Sequence, residues 1–306
     1  MAPIYRLAIL FLLCFVCPTL SAPRKLAALV QEQPLVLKYH NGALLKGNVT
    51  VNLIWYGKFT PIQRSIIVDF IHSLNSYSAA QPSTSSWWKT TEKYKGGSSN
   101  LVVRHQVLLE NYSLGKSLKT SHLLALSKKV SNTLVSSINV VLTAKDVAVD
   151  GFCMNRCGTH GSTLGGGGRG SARGTYIWVG NSETQCPGYC AWPFHQPIYG
   201  PQTPPLVAPN GDVGIDGMII NLATLLANTV TNPFNNGYFQ GPASAPLEAV
   251  SACTGLFGSG AYPGYPGRVL VDKVSGASYN AHGISGRKYL LPAMWDPQTS
   301  ACKTLV

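Results

Sequence analysis

The chain has 306 residues, 45% of them hydrophobic, which is enough to bury one or two sizeable cores. Charge is sparse but one-sided, with 24 Lys+Arg against 12 Asp+Glu, so the protein is drawn to polyanions such as acidic polysaccharides. No basic cluster interleaved with aromatics occurs, which argues against nucleic acid as a partner.

Arg6 precedes the apolar run Leu7 to Val16, and the small residues Thr19 and Ser21 follow like a cleavage site. That pattern predicts a secretory signal peptide over residues 1–22, too short to span a bilayer. A linker over 23–34 and one domain over 35–306 follow, and no membrane span is expected. Export makes the Asn48-Val49-Thr50 and Asn111-Tyr112-Ser113 tripeptides candidate N-glycosylation sites, with Asn48 and Asn111 on the surface.

In PLVLKYHNGALLKGNVTVNLIWYG two β-rich runs flank Asn41-Gly42, the turn dipeptide of a hairpin. TPIQRSIIVDFIHSLNSY predicts a helix, with Thr60 able to cap and Pro61 suited to the first turn. Leu101 to Glu110 reads as a strand, SHLLALSKKVSNTLVSSI as a helix and NVVLTAKDVAV as a buried strand. TYIWVGN is a further strand, and DGMIINLATLLANTVTNP a last helix capped by Asp216. Strands alternating with helices predict an α/β fold: a single mixed sheet with helices and a loop-rich, disulfide-pinned C-terminal half.

Six cysteines remain after the signal peptide: Cys153, Cys157, Cys186, Cys190, Cys253 and Cys302. An even number in an oxidising compartment predicts three disulfides, with the pairing open. Zinc ligation by Cys153, Cys157, Cys186 and Cys190, or by the nearby His160 and His195, is the alternative. No metal and no cofactor are expected.

Catalytic signatures are incomplete. No Gly-x-Ser-x-Gly elbow and no His-Glu pair occurs. Gly165 to Gly170 formally matches a dinucleotide fingerprint, but a strand rather than a helix follows it. Glu183, Asp212, Asp216, Glu248, Asp272 and Asp296 could supply a glycosidase pair, but sequence does not say which lie at catalytic separation. A cleft of Trp192, His195, Asp212 and Glu248 is one guess at such a site. Trp178, Trp192, Phe194, Tyr262, Tyr265 and Trp295 could stack on sugar rings, or fill the core. The catalytic residues are unknown.

FCMNRCGTHG, the long run YIWVGNSETQCPGYCAWPFHQPIYGPQTPPL and GRKYLLPAMWDPQTSACKTLV resemble the EXORDIUM-like, phosphate-induced family of plant secreted proteins. The resemblance implies an apoplast or cell-wall protein tied to brassinosteroid-dependent growth and cell expansion. It brings no reaction and no catalytic residues. A weaker similarity, NLATLLANTVTNPFNNGYFQGP followed by PLEAVSAC, resembles zincin-like proteins and implies a degenerate zincin-like fold. Aligned on Thr231-Asn232-Pro233, their metal-binding His and catalytic Glu fall on Thr224 and Leu225. The expected function is therefore non-enzymatic binding or signalling, through an acidic wall polysaccharide or an extracellular receptor. A wall-polysaccharide hydrolase with an unfamiliar site, or a zinc hydrolase-like protein, is the alternative.

Overall fold

A computed structural model describes residues 34–130, 136–163, 174–242 and 245–306. The expected signal peptide, nearly all of the expected linker and the Gly165 to Gly170 run lie outside the described residues. Within the unit Leu35–Val306, elements follow in the order β1 (Lys38–Tyr39), β2 (Gly47–Tyr56), α1 (Pro61–Ser73), α2 (Thr84–Trp88) and β3 (Ser99–Leu109). Then come β4 (Ser117–Leu118), α3 (Thr120–Ser127), β5 (Ser137–Thr143), β6 (Ala148–Val149), β7 (Gly158–Thr163) and β8 (Gly174–Gly180). The helical turn α4 (Pro187–Cys190) and the long helix α5 (Val213–Thr231) precede a region of short strands, opened by β9 (Tyr238–Phe239).

The organising element is a five-stranded sheet in the order β3-β2-β5-β8-β7. Its first four strands run parallel and β7 runs antiparallel to β8 at the edge. Parallel strands covered on both faces read as continuous apolar runs, and β2 is buried from Val49 to Tyr56. α1 and α5 pack against one another, α5 also against β7 and β8, and α3 against β5 and β8. The expected single sheet is corrected to this mixed sheet plus five two-stranded ladders among the described residues.

Two further expectations are corrected. The Asn41-Gly42 hairpin does not form, although Asn41 does adopt the left-handed conformation with φ 60°. β1 pairs with β9 instead, because β2 sits between β3 and β5 and has no free edge to offer. The helix after Ser121 is short, with its described turns ending at Ser127, before Lys128 and Lys129.

The first helix is built as its sequence dictates. Thr60 Oγ1 accepts the Gln63 N–H at 3.2 Å, and the Gln63 side chain returns to the Thr60 N–H at 3.0 Å. This capping box satisfies two otherwise orphaned donors. Thr60→Ala is expected to lower unfolding free energy by about 1 kcal/mol in urea denaturation. A loss below about 0.3 kcal/mol would show that tertiary packing, not the cap, sets this terminus.

All six cysteines are bridged, as Cys153–Cys186, Cys157–Cys190 and Cys253–Cys302. The first two bridges lash the loop after β6 to α4 in parallel, each closing a separation of 33 residues. The zinc alternative built on these four thiolates is thereby overturned, since a bridged sulfur carries no thiolate to donate.

Candidate functional site

Two cavities, of about 470 and 290 Å³, share Trp192 as a common wall and together form a groove on the C-terminal half. One wall comes from the segment after α4, the other from the loop 254–266. Both are fixed by local chemistry rather than by regular structure.

The first wall leaves α4 with a cis bond between Trp192 and Pro193. The Phe194 N–H donates to Ala191 O at 2.8 Å and the Leu206 N–H to Pro193 O at 2.9 Å, closing the segment on itself. Phe194 then anchors in a small core with Ala208, Ile220, Phe257 and Leu290. Proline density keeps the rest of the segment at the surface, since proline has no N–H for a ladder. Tyr199 is left 86% exposed.

The second wall is a closed loop. The Phe257 and Gly258 N–H groups both donate to Pro266 O, at 2.9 and 3.0 Å. Tyr262 and Tyr265 exchange backbone hydrogen bonds across its tip, which stands their rings 5.1 Å apart at 38°. Gly264 has φ +89° and lies so near Pro201 that a Cβ there would come within 2.9 Å of the proline ring. Glycine at that position is what lets the two walls meet. Trp192 lies at 5.8 Å from the Phe257 ring, so its indole is held from beneath.

Of the six aromatics that sequence offered for stacking, Trp192, Tyr262 and Tyr265 line this groove. Trp178, Phe194 and Trp295 are core residues, 0%, 4% and 2% exposed. Sequence reasoning missed Tyr199, whose signal was its place among the prolines 197, 201, 204 and 205. Of the guessed cleft, Trp192 and His195 are brought together, but Asp212 and Glu248 line neither cavity.

The carboxylates are occupied elsewhere. Asp212, not Asp216, is the N-cap of α5, accepting the Ile215 N–H at 2.9 Å and the Gln63 amide at 2.9 Å. The expected cap was one turn too late. Asp216 is buried within the first turn and accepts the Asn210 N–H and side-chain amide at 2.8 and 2.6 Å. Burial pushes its carboxyl up to about 7, against the Asn210 bonds that pull it down. Glu248, 4% exposed, accepts from Asn232 Nδ2 at 2.6 Å and lies 2.8 Å from His160 Nε2. Glu183 pairs with Lys145, Asp272 with Lys288 and Asp296 with Lys93. Lys288 and the Ser275 bonds hold Asp272 well below the usual carboxylate range.

His160 stands on β7 with its Nδ1 buried and unpartnered among the described residues, and His195 bonds only the neighbouring Gln196 carbonyl. No group of three His, Cys, Asp or Glu side chains that could hold a metal ion occurs among the described residues. Asn48 and Asn111 are both exposed.

Charge is divided along the chain. Residues 34–130 carry twelve Lys+Arg against three Asp+Glu, whereas residues 174–306 carry five against six. The segment 174–306, which holds the groove, has no basic surplus, and among the described residues no Lys, Arg, Asp or Glu lines either cavity.

Residues 37–305 match the family described as the phosphate-induced protein 1 conserved region. The chain is 75% identical to Protein EXORDIUM-like 2 of Arabidopsis thaliana, over the full length of both. It is 63% identical to Protein PHOSPHATE-INDUCED 1 of Nicotiana tabacum, over 97% of each chain. Identity to Protein EXORDIUM of Arabidopsis thaliana is 57%, over 97% of this chain and 98% of that one. No solved structure matches.

Proposed function

The chain belongs to the phosphate-induced protein 1 family, and from that premise we propose a growth-related plant protein that binds wall polysaccharide without cleaving it. In this reading it is exported to the apoplast and cell wall, where it supports brassinosteroid-dependent cell expansion. The groove around Trp192 is its binding site, and the basic stretch 34–130 adds attraction to acidic wall polymers.

One observation carries binding over cleavage. Glycoside hydrolysis needs two carboxyl groups flanking the scissile bond, and among the described residues none lines either cavity. Each of the six candidate carboxylates already serves a cap, an ion pair or a buried hydrogen bond. The zincin-like reading gains no chemistry from this helix. Thr224 Oγ1 donates to the Ile220 carbonyl within α5, and Leu225 is buried, so neither offers a ligand or a base.

The test is retention of the glycosylated, secreted chain on fractionated wall polysaccharides, with new reducing ends measured in the same tubes. Retention without new ends is expected. On acidic fractions it should fall steeply as salt rises from roughly 20 to 500 mM, because exposed charges are screened over shorter distances. New reducing ends abolished by one carboxylate substitution would make the protein an enzyme and end this reading. No retention on any fraction would turn the search to a protein receptor.

A further inference from the structure

Resting on the reading that the groove binds wall polysaccharide, we infer that its ligand is an uncharged glycan chain, not an acidic one. Three features of the lining lead there. The aromatic faces are open, with Tyr199 86% and Tyr262 61% exposed and Trp192 half-buried behind them. Exposed flat rings match the apolar C–H faces of pyranose sugars, which stack without charge.

The second feature is the missing cation. Binding of uronates depends on Arg or Lys, which pair with carboxylates through charge-assisted hydrogen bonds. Among the described residues the groove has neither, and Arg268, two residues beyond Pro266, lines neither cavity. The basic surplus belongs to residues 34–130, so attraction to acidic polymers and recognition in the groove are separate properties.

The third feature decides between a sugar and an extended proline-rich peptide, the other ligand that aromatic grooves accept. Seven of the lining residues are prolines. Proline has no N–H, so these walls are poor in donors. The Pro193, Pro197 and Pro266 carbonyls already accept within the protein, while those of Pro201, Pro204, Pro205 and Pro263 accept from no donor among the described residues. A sugar chain brings many hydroxyl donors to such walls. A polyproline chain brings none, because its own backbone also carries only acceptors. The Thr203 and Thr254 hydroxyls donate to the Gly264 and Ser251 carbonyls, so towards a ligand they too offer acceptors.

The experiment titrates the full secreted chain with cellohexaose, hexagalacturonate and decaproline, following intrinsic fluorescence across a salt series. Cellohexaose is expected to bind with an affinity that changes less than about twofold between roughly 20 and 500 mM salt. Tyr262→Ala and Tyr199→Ala should each weaken it about tenfold, the loss of one stacked ring. Both rings are exposed, so these variants fold where Trp192→Ala, packed on Phe257, could disturb the loop. Any hexagalacturonate binding should fall with salt and ignore both tyrosine variants.

Hexagalacturonate bound in the groove, shown by loss in Tyr262→Ala with cellohexaose inert, would overturn the inference and leave the polysaccharide reading intact. Decaproline bound in preference to either sugar would overturn the inference in favour of a peptide ligand. Failure of all three probes, with no retention on wall fractions, would overturn the underlying reading as well.

Discussion

Glu248→Ala should cost about 2–6 kcal/mol of unfolding free energy, since it strands two buried hydrogen-bonding groups at roughly 1–3 kcal/mol each. The carboxylate ties three distant pieces of chain. It accepts from Asn232 at the C-terminal end of α5, and it meets His160 on edge strand β7. Its own backbone N–H donates to Ser251 Oγ, and Val250 N–H donates to Asn228 Oδ1 in the last turns of α5. Alanine leaves the His160 Nε2 and the Asn232 amide buried without an acceptor, while the strand stays where the sheet holds it.

Urea denaturation of four proteins measures the effect: the native chain, Glu248→Ala, His160→Phe and the pair His160→Phe/Glu248→Leu. The double variant is expected to lose less than the two single losses combined, because replacing both partners leaves only the Asn232 amide stranded. Additive losses below about 1 kcal/mol would show that the cluster is wetted and energetically minor. Glu248→Gln should fall between, keeping an acceptor for one of the two donors.

The second large effect is on the pH dependence of stability, and Asp216 carries it. Its carboxyl is 2% exposed, and burial raises it from 3.8 to about 7 in the folded protein. The neighbouring Asp212 charge acts in the same direction, and the two Asn210 hydrogen bonds act against it. Between these two values the folded chain holds a proton that the unfolded chain has released. Stability is therefore greatest at the acid end and falls as pH rises, since it declines wherever the native state binds more protons. The full fall is about 4 kcal/mol across the window from about pH 4 to about pH 7, at roughly 1.4 kcal/mol per unit.

Asp216→Asn removes the titration. The native chain minus the variant should show this slope in urea midpoints taken between about pH 4 and pH 8. A flat difference would mean that Asp216 is already ionised in the fold at pH 4. The Asn210 bonds would then have outweighed burial.

Sequence alone settled the features that depend on neighbours along the chain. The capping box of α1 uses Thr60 and Gln63, three residues apart, and folds as those two residues require. β2, β5 and β8 were legible as β-rich, largely apolar stretches, because strands covered on both faces have no polar side to show, and the buried exceptions Asn52 and Asn139 bond one another across β2 and β5. The family was legible as well, since its motifs run through the C-terminal half.

Where sequence went astray, a distant partner had overruled a local signal. Asn41-Gly42 is a good hairpin turn, yet β9, some two hundred residues away, took the strand that the turn would have paired. Asp212 and Asp216 both suit the start of a helix, and only packing beside Asn210 placed one at the cap and the other inside. The cysteine count pointed to bridges, but the pairing needed the loop after β6 to lie along α4.

The groove was the least legible feature. Trp192 and Tyr262 are seventy residues apart, and no periodicity relates them. What joins them is the closure of the 257–266 loop on itself and the contact of Gly264 with Pro201. Periodic patterns report which face of an element is buried, and so they recover helices and strands. A surface site assembled from two irregular segments has no period. Only the tertiary structure could decide which of six aromatics face solvent and which fill the core.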